Sequence, residues 1–168
     1  IRAAVSGRPG GVYLDLPAKL FGQVMDAEAG TRSLVKVIDA APAQIPAPDA
    51  VKRALDVLKG ARRPLIILGK GAAYAQADDA IRAFVEKSGI PVATTLLGIG
   101  VLSEDHPLNL RMMGMHGEAY VNQAIAGADL IIAMGMRFDD RVTGNLKTYA
   151  KNARVIHVDI DAAEINKN

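Results

Sequence analysis

The chain contains no cysteine, which excludes disulfides and thiolate metal sites. Histidine is scarce as well. His106, His116 and His157 are scattered without the spacing of a ligand set, so no metal site is expected. There is no apolar run of about eighteen residues, and so no candidate membrane span. No signal peptide opens the chain, and the expected location is the cytoplasm. Basic clusters are missing too. Lys and Arg number 20 against 18 Asp and Glu, with both signs interspersed, so no nucleic-acid surface is expected. Neither a Gly-x-Ser-x-Gly elbow nor a His-Glu-x-x-His helix occurs. Asp139 and Asp140 are adjacent rather than facing, and Arg137 and Arg141 balance them. No catalytic residue is assigned.

What is present suits one soluble globular domain, or one with an appended piece: 168 residues, 50% hydrophobic and 23% charged. A chain of this length buries roughly 70% of its unfolded surface and needs no staples.

The most informative stretch is Pro64-Leu65-Ile66-Ile67-Leu68-Gly69-Lys70-Gly71-Ala72-Ala73. Its apolar part has the length of a strand buried on both faces. Glycine directly after such a strand permits a tight turn and close approach to a ligand. Asp78–Ser88 then reads as a helix, with Ala80, Ile81, Phe84 and Val85 on one face. Strand, glycine loop and helix make the first half of a nucleotide-binding β-α-β unit. A full G-x-G-x-x-G is absent, because Tyr74 takes the third glycine's place, and a plain tight turn is the alternative.

Earlier in the chain, residues 1–6 read as the tail of a helix, and Gly7-Arg8-Pro9-Gly10-Gly11 as a breaker. Val12-Tyr13-Leu14-Asp15-Leu16 reads as a strand. Pro42, Pro46 and Pro48 rule out a helix interior and mark an extended linker, with a domain boundary near Ala43. Pro48 and Asp49 open a helix with the stripe Val51, Ala54, Leu55 and Leu58, ended by Gly60. Further on, 92–96 and 154–160 read as strands and 118–126 as a helix. Residues 128–134 read as the clearest buried strand. Residues 161–168 read as the start of a helix. In 110–117, three methionines sit with two glycines and a histidine outside any period. They are either core filler or a loop along a flat ligand.

Alternating strands and helices imply a doubly wound parallel α/β sheet, whose ligands sit beyond the carboxyl ends of the strands. Those ends are Gly69-Lys70-Gly71, Thr94-Thr95-Leu96, Gly135-Met136-Arg137 and Asp159-Ile160. Backbone amides at 69–72 could meet a phosphate, which Lys70 or Arg137 would neutralise. Asp159 could accept hydrogen bonds from ribose hydroxyls.

Several of these segments resemble the thiamine-diphosphate-dependent decarboxylases and carboligases. Residues 6–17 resemble the end of that family's first domain, 64–78 are similar to oxalyl-CoA decarboxylase, and 1–91 as a whole resemble it. Residues 95–98, 113–117, 135–144, 156–160 and 164–167, within 92–168, resemble acetolactate synthase. The resemblance implies a Rossmann-like central domain at 48–168, a linker at 21–47, and at 1–20 the remnant of a pyrimidine-binding domain. It implies a fragment whose parent, a lyase or transferase, carries a diphosphate-binding domain as well. It implies FAD or ADP as the ligand here, with thiamine diphosphate and Mg2+ held only by the full-length protein. Carried over by motif, the ligand contacts are Gly69, Lys70, Gly71, Thr95, Leu96, Met113, His116, Gly135, Arg137, Asp139, Arg141, Asp159 and Ile160. The catalytic glutamate and the Gly-Asp-Gly…Asn motif of the family are not in this stretch, so the fragment alone is not expected to be an enzyme. A structural domain without nucleotide is the alternative. Leu14, Leu16, Leu34, Val35, Val37 and Ile38, left without the other domains, are expected to promote homo-oligomers.

Overall fold

The computed structural model describes residues 2–34, 42 and 44–167. The chain forms two compact units, 1–44 and 45–168. The boundary expected near Ala43, and Val35, Val37 and Ile38 with it, lie outside the described residues.

The described residues of the first unit hold three short helices: α1 (Arg2–Val5), α2 (Ala18–Phe21) and α3 (Ala27–Ser33). Asp26 caps α3, its Oδ1 accepting the Ala29 N–H at 2.9 Å. None of the three helices buries a residue. The strand expected at 12–16 does not form. That segment is exposed and unpaired among the described residues. Strand propensity alone does not make a strand, since its N–H and C=O groups need a neighbouring strand as partner.

The second unit is built on one five-stranded, all-parallel sheet. Its strands are β1 (Pro64–Leu68), β2 (Val92–Thr94), β3 (Asn109–Met112), β4 (Leu130–Met134) and β5 (Arg154–Val158), in the order β3-β2-β1-β4-β5. The helices are α4 (Pro48–Lys59), α5 (Lys70–Tyr74), α6 (Asp78–Ser88), α7 (Ala119–Gly127) and α8 (Asp140–Thr143). This is the doubly wound α/β architecture that the strand-helix alternation predicts. The order reverses at β1, so the switch point lies between β1 and β4.

Alternation along the central strands divides the core in two. Leu65, Ile67, Ile131 and Ala133 pack with Val121 and Ile125 of α7. Ile66, Leu68, Leu130 and Ile132 pack with Ile81 and Val85 of α6. Both faces of β1 and β4 are thus covered, which is why these strands read as unbroken apolar runs.

Three local expectations are corrected. The sheet ends at Thr94, and Leu96–Gly98 turn into a 3-10 helix. At that crossing the backbone passes so close to β1 that a Cβ on Gly98 would lie 2.1 Å from the Leu68 carbonyl oxygen. Residues 109–112, which overlap the stretch 110–117 read as outside any period, form β3. Residues 161–167 form turns rather than a helix, with the Asp161 N–H held by Asp159 Oδ1 at 2.9 Å.

Candidate functional site at the strand tips

The last residues of all five strands are paired with one another. Met112 faces Thr94, Thr94 faces Leu68, Leu68 faces Met134 and Met134 faces Val158. The residue after each strand end is therefore in line with its neighbours: Met113, Thr95, Gly69, Gly135 and Asp159. All five are predicted site residues. At ~4.8 Å per strand, the row from Thr95 to Asp159 spans roughly 14 Å.

At the switch point the two tips are in backbone contact. Gly135 is left-handed, with φ of +63°. A Cβ on Gly69 would meet the Gly135 carbonyl oxygen at 2.3 Å, and one on Gly71 would meet Gly135 Cα at 2.6 Å. The glycines are required by this approach. The contact also uses the amides. Gly69 N–H donates to Met134 O at 2.9 Å, Gly71 N–H to Gly135 O at 2.9 Å, and Ala72 N–H to Gly69 O at 3.2 Å. These three donors are engaged inside the protein. The exposed positive charge beside them is on side chains. Lys70, exposed at the start of α5, has its Nζ 4.6 Å from the centre of the Tyr74 ring. Among the described residues no carboxylate lies within ion-pair distance of it.

On the other side of the switch point, Arg137 donates from Nε to Asp139 Oδ2 at 3.0 Å, with its Nη2 at 2.9 Å. A guanidinium has five N–H donors, so this pair leaves donors to spare. Asp139 also caps α8, its Oδ1 accepting the Arg141 N–H at 3.1 Å. Phe138, between them, has φ of +51°. A non-glycine residue in that region costs on the order of 1–3 kcal/mol and persists only where its surroundings hold it. Here its ring meets His157 edge-on at 5.2 Å and Tyr149 at 6.3 Å.

The loop after β3 reaches this segment. Met115 N–H donates to Arg141 O at 3.1 Å. Asn122 of α7 both accepts from the Gly114 N–H and donates to its carbonyl, each at 3.0 Å. Gly114 has φ of +94°, and a Cβ there would lie 2.8 Å from Arg141 O. A hollow of about 390 Å³ lies beside Gly114, Met115, Arg141 and Tyr149. Met113 turns inward and is 3% exposed, so its side chain belongs to the core. Met115 is the exposed methionine of the loop. Leu96, His116, Arg141 and Ile160 are exposed, and Asp159 is half-buried with Oδ2 3.8 Å from His157 Nε2.

The pattern of the chain did not single out Phe138, Tyr149, His157 or Asn122 for the site. Of these, His157 had a usable signal, since it sits in the last strand two residues before Asp159. Tyr149 had none: its hydroxyl is buried and has no partner among the described residues. Burial pushes its phenol well above the ordinary range. Among the described residues no group of three or more His, Asp or Glu could hold a metal ion. No described helix is long and apolar enough to cross a membrane.

A parallel α/β sheet with a glycine-lined switch point and charged tips defines the class. Comparison with known proteins then places it: residues 51–168 match the family described as thiamine pyrophosphate enzyme, central domain, and the chain belongs to that family. It is 45% identical over 166 residues to acetolactate synthase 1, chloroplastic, of Zea mays, covering 98% of this chain and 26% of that protein. It is 46% identical over 169 residues to the acetolactate synthase large subunit of Parasynechococcus marenigrum, covering 98% and 27%. It is 40% identical over 168 residues to oxalyl-CoA decarboxylase of Escherichia coli (strain K12), covering 100% and 28%. The chain thus spans about a quarter of the length of these relatives, and both kinds match it almost end to end.

Proposed function

We propose that the second unit binds an adenosine diphosphate group, as ADP or as part of FAD, along the row of strand tips. The supporting observation is the register that lines up Thr95, Gly69, Gly135 and Asp159 on one edge. The donor set suits such a ligand. Lys70, Arg137 and Arg141 supply cations for a diphosphate. Asp159 supplies a carboxylate for ribose hydroxyls. In this reading the full-length protein is a cytoplasmic, oligomeric lyase or transferase. Thiamine diphosphate and Mg2+ sit on its pyrimidine- and diphosphate-binding domains, and no step of that chemistry runs through the residues described here.

A second reading is a structural domain that holds no nucleotide. One observation favours it: the Gly69, Gly71 and Gly135 contacts close the switch point on themselves and use three of its amides. The absorbance spectrum of the purified chain, before and after incubation with FAD and gel filtration, separates the two. A retained flavin band supports the nucleotide reading. A chain that retains no flavin and gives no heat on titration with ADP supports the structural one. NAD serves as the control dinucleotide.

A further inference from the structure

Arg137 is flanked by two residues that are both pinned from below. The Met136 carbonyl accepts a hydrogen bond of 2.7 Å from His157 Nε2, so that nitrogen carries a proton. Phe138 is held at φ of +51° with its ring edge-on to His157 (90°) and to Tyr149 (80°). Met136 is itself buried. Between these anchors the Arg137 side chain stays 55% exposed and pairs with Asp139. We propose that Phe138 and His157 form a platform that aims Arg137 at an anionic ligand, acting as positioning residues and touching no ligand themselves. This rests on the nucleotide reading above and names the part of the ligand concerned, its phosphates.

The physical argument is about which conformation the loop would take without its anchors. A left-handed phenylalanine persists only where its surroundings hold it, and the ring contacts with His157 and Tyr149 are part of that hold. Remove the ring contacts and the peptide between 137 and 138 is free to return to negative φ, which swings the guanidinium away from Asp139. The bond from His157 acts on the same segment from its other end, through Met136. The platform therefore serves the charge and not the apolar part of the site.

Phe138→Gly tests this, because glycine keeps the left-handed backbone allowed while deleting the ring. Titration calorimetry of the 168-residue chain uses ADP and adenosine as probes, with the melting temperature measured alongside. The expected result is a roughly tenfold loss of ADP affinity, the scale on which outer partners of a binding group act, with adenosine changed by less than about twofold. Arg137→Ala should give a similar loss, and Phe138→Gly added to it should cost nothing more. Equal losses for ADP and adenosine, additive losses, or no loss would each overturn the platform. If Phe138→Gly does not fold, Phe138→Leu is read in the same way. A wild-type chain that binds neither ADP nor FAD overturns the nucleotide reading, and the platform falls with it; one that binds FAD alone is tested with FAD in place of ADP. A wild-type chain that binds ADP while these variants bind it equally well overturns the platform alone.

Discussion

Two residues show most directly what the tips of the sheet are made for. Gly69 has an ordinary extended backbone, so its role is spatial. Any Cβ there runs into the Gly135 carbonyl oxygen. Gly69→Ala is expected to destabilise the chain by about 2–3 kcal/mol, in the range of overpacking. Gly127, at the end of α7, has open space around the same position. Gly127→Ala is expected to be neutral or stabilising by up to ~1 kcal/mol, from helix propensity. Urea denaturation of both variants checks the contrast, and equal effects would contradict the close approach of the tips. Tyr149 is the other informative residue. Its buried hydroxyl has no partner among the described residues, so Tyr149→Phe is expected to hold or raise stability, by up to ~1 kcal/mol. The pH sense follows from burial. The folded phenol titrates above its ordinary value of 10.0, so above pH 10 the unfolded chain loses this proton first. Stability is therefore intact below pH 10 and falls as pH rises beyond it, by at most roughly 1.4 kcal/mol per pH unit from this group. Denaturation midpoints at pH 9 and 11 should converge for Tyr149→Phe relative to wild type.

At the scale of elements, the strands buried on both faces were legible. β1, β4, α4 and α6 carry their own punctuation: Pro64 and Gly69, Gly135, Pro48 and Gly60, Gly89. β3 was not, because it is an edge strand with no fully buried residue, it carries a bulge opposite β2, and Arg111 within it has φ of +73°. Residues 12–16 erred the other way, since strand-like residues form no strand without a partner. The row of strand ends was legible. The engagement of the amides at Gly69, Gly71 and Ala72, and the inward turn of Met113, depend on long-range packing that no local pattern records. One such long-range feature is Asp129, whose carboxylate accepts the N–H groups of Arg62 at 2.7 Å and Arg63 at 2.9 Å and so staples the entry to β1 beside that of β4. The Arg62 bond is the main reason its carboxyl lies below the ordinary 3.8. A folded-state value that is lowered gives stability that is present at neutral pH and lost as pH falls through the acid range. Asp129→Asn, which keeps one acceptor, should be less stable than wild type at pH 7, and the gap should narrow near pH 3. A gap that is the same at both pH values would contradict the staple.

For the whole molecule, the first unit leaves a series of large apolar side chains in water: Tyr13 is 90% exposed, Phe21 75% and Val24 98%. Apolar side chains so exposed favour association where they adjoin one another. The 17.7 kDa chain is therefore expected to elute from size exclusion as a species larger than a monomer at high concentration, and a clean monomer would contradict this.

One trench along the carboxyl edge of the sheet, reading an adenosine diphosphate by its charge, is the claim on which the functional account stands. Calorimetric titration of the wild-type chain with ADP, repeated on Lys70→Ala, tests it most directly. The account predicts saturable binding with one ADP per chain, weakened roughly tenfold when the ammonium is removed, as expected for a phosphate contact. Absence of binding with both ADP and FAD, or binding indifferent to Lys70→Ala, would contradict it.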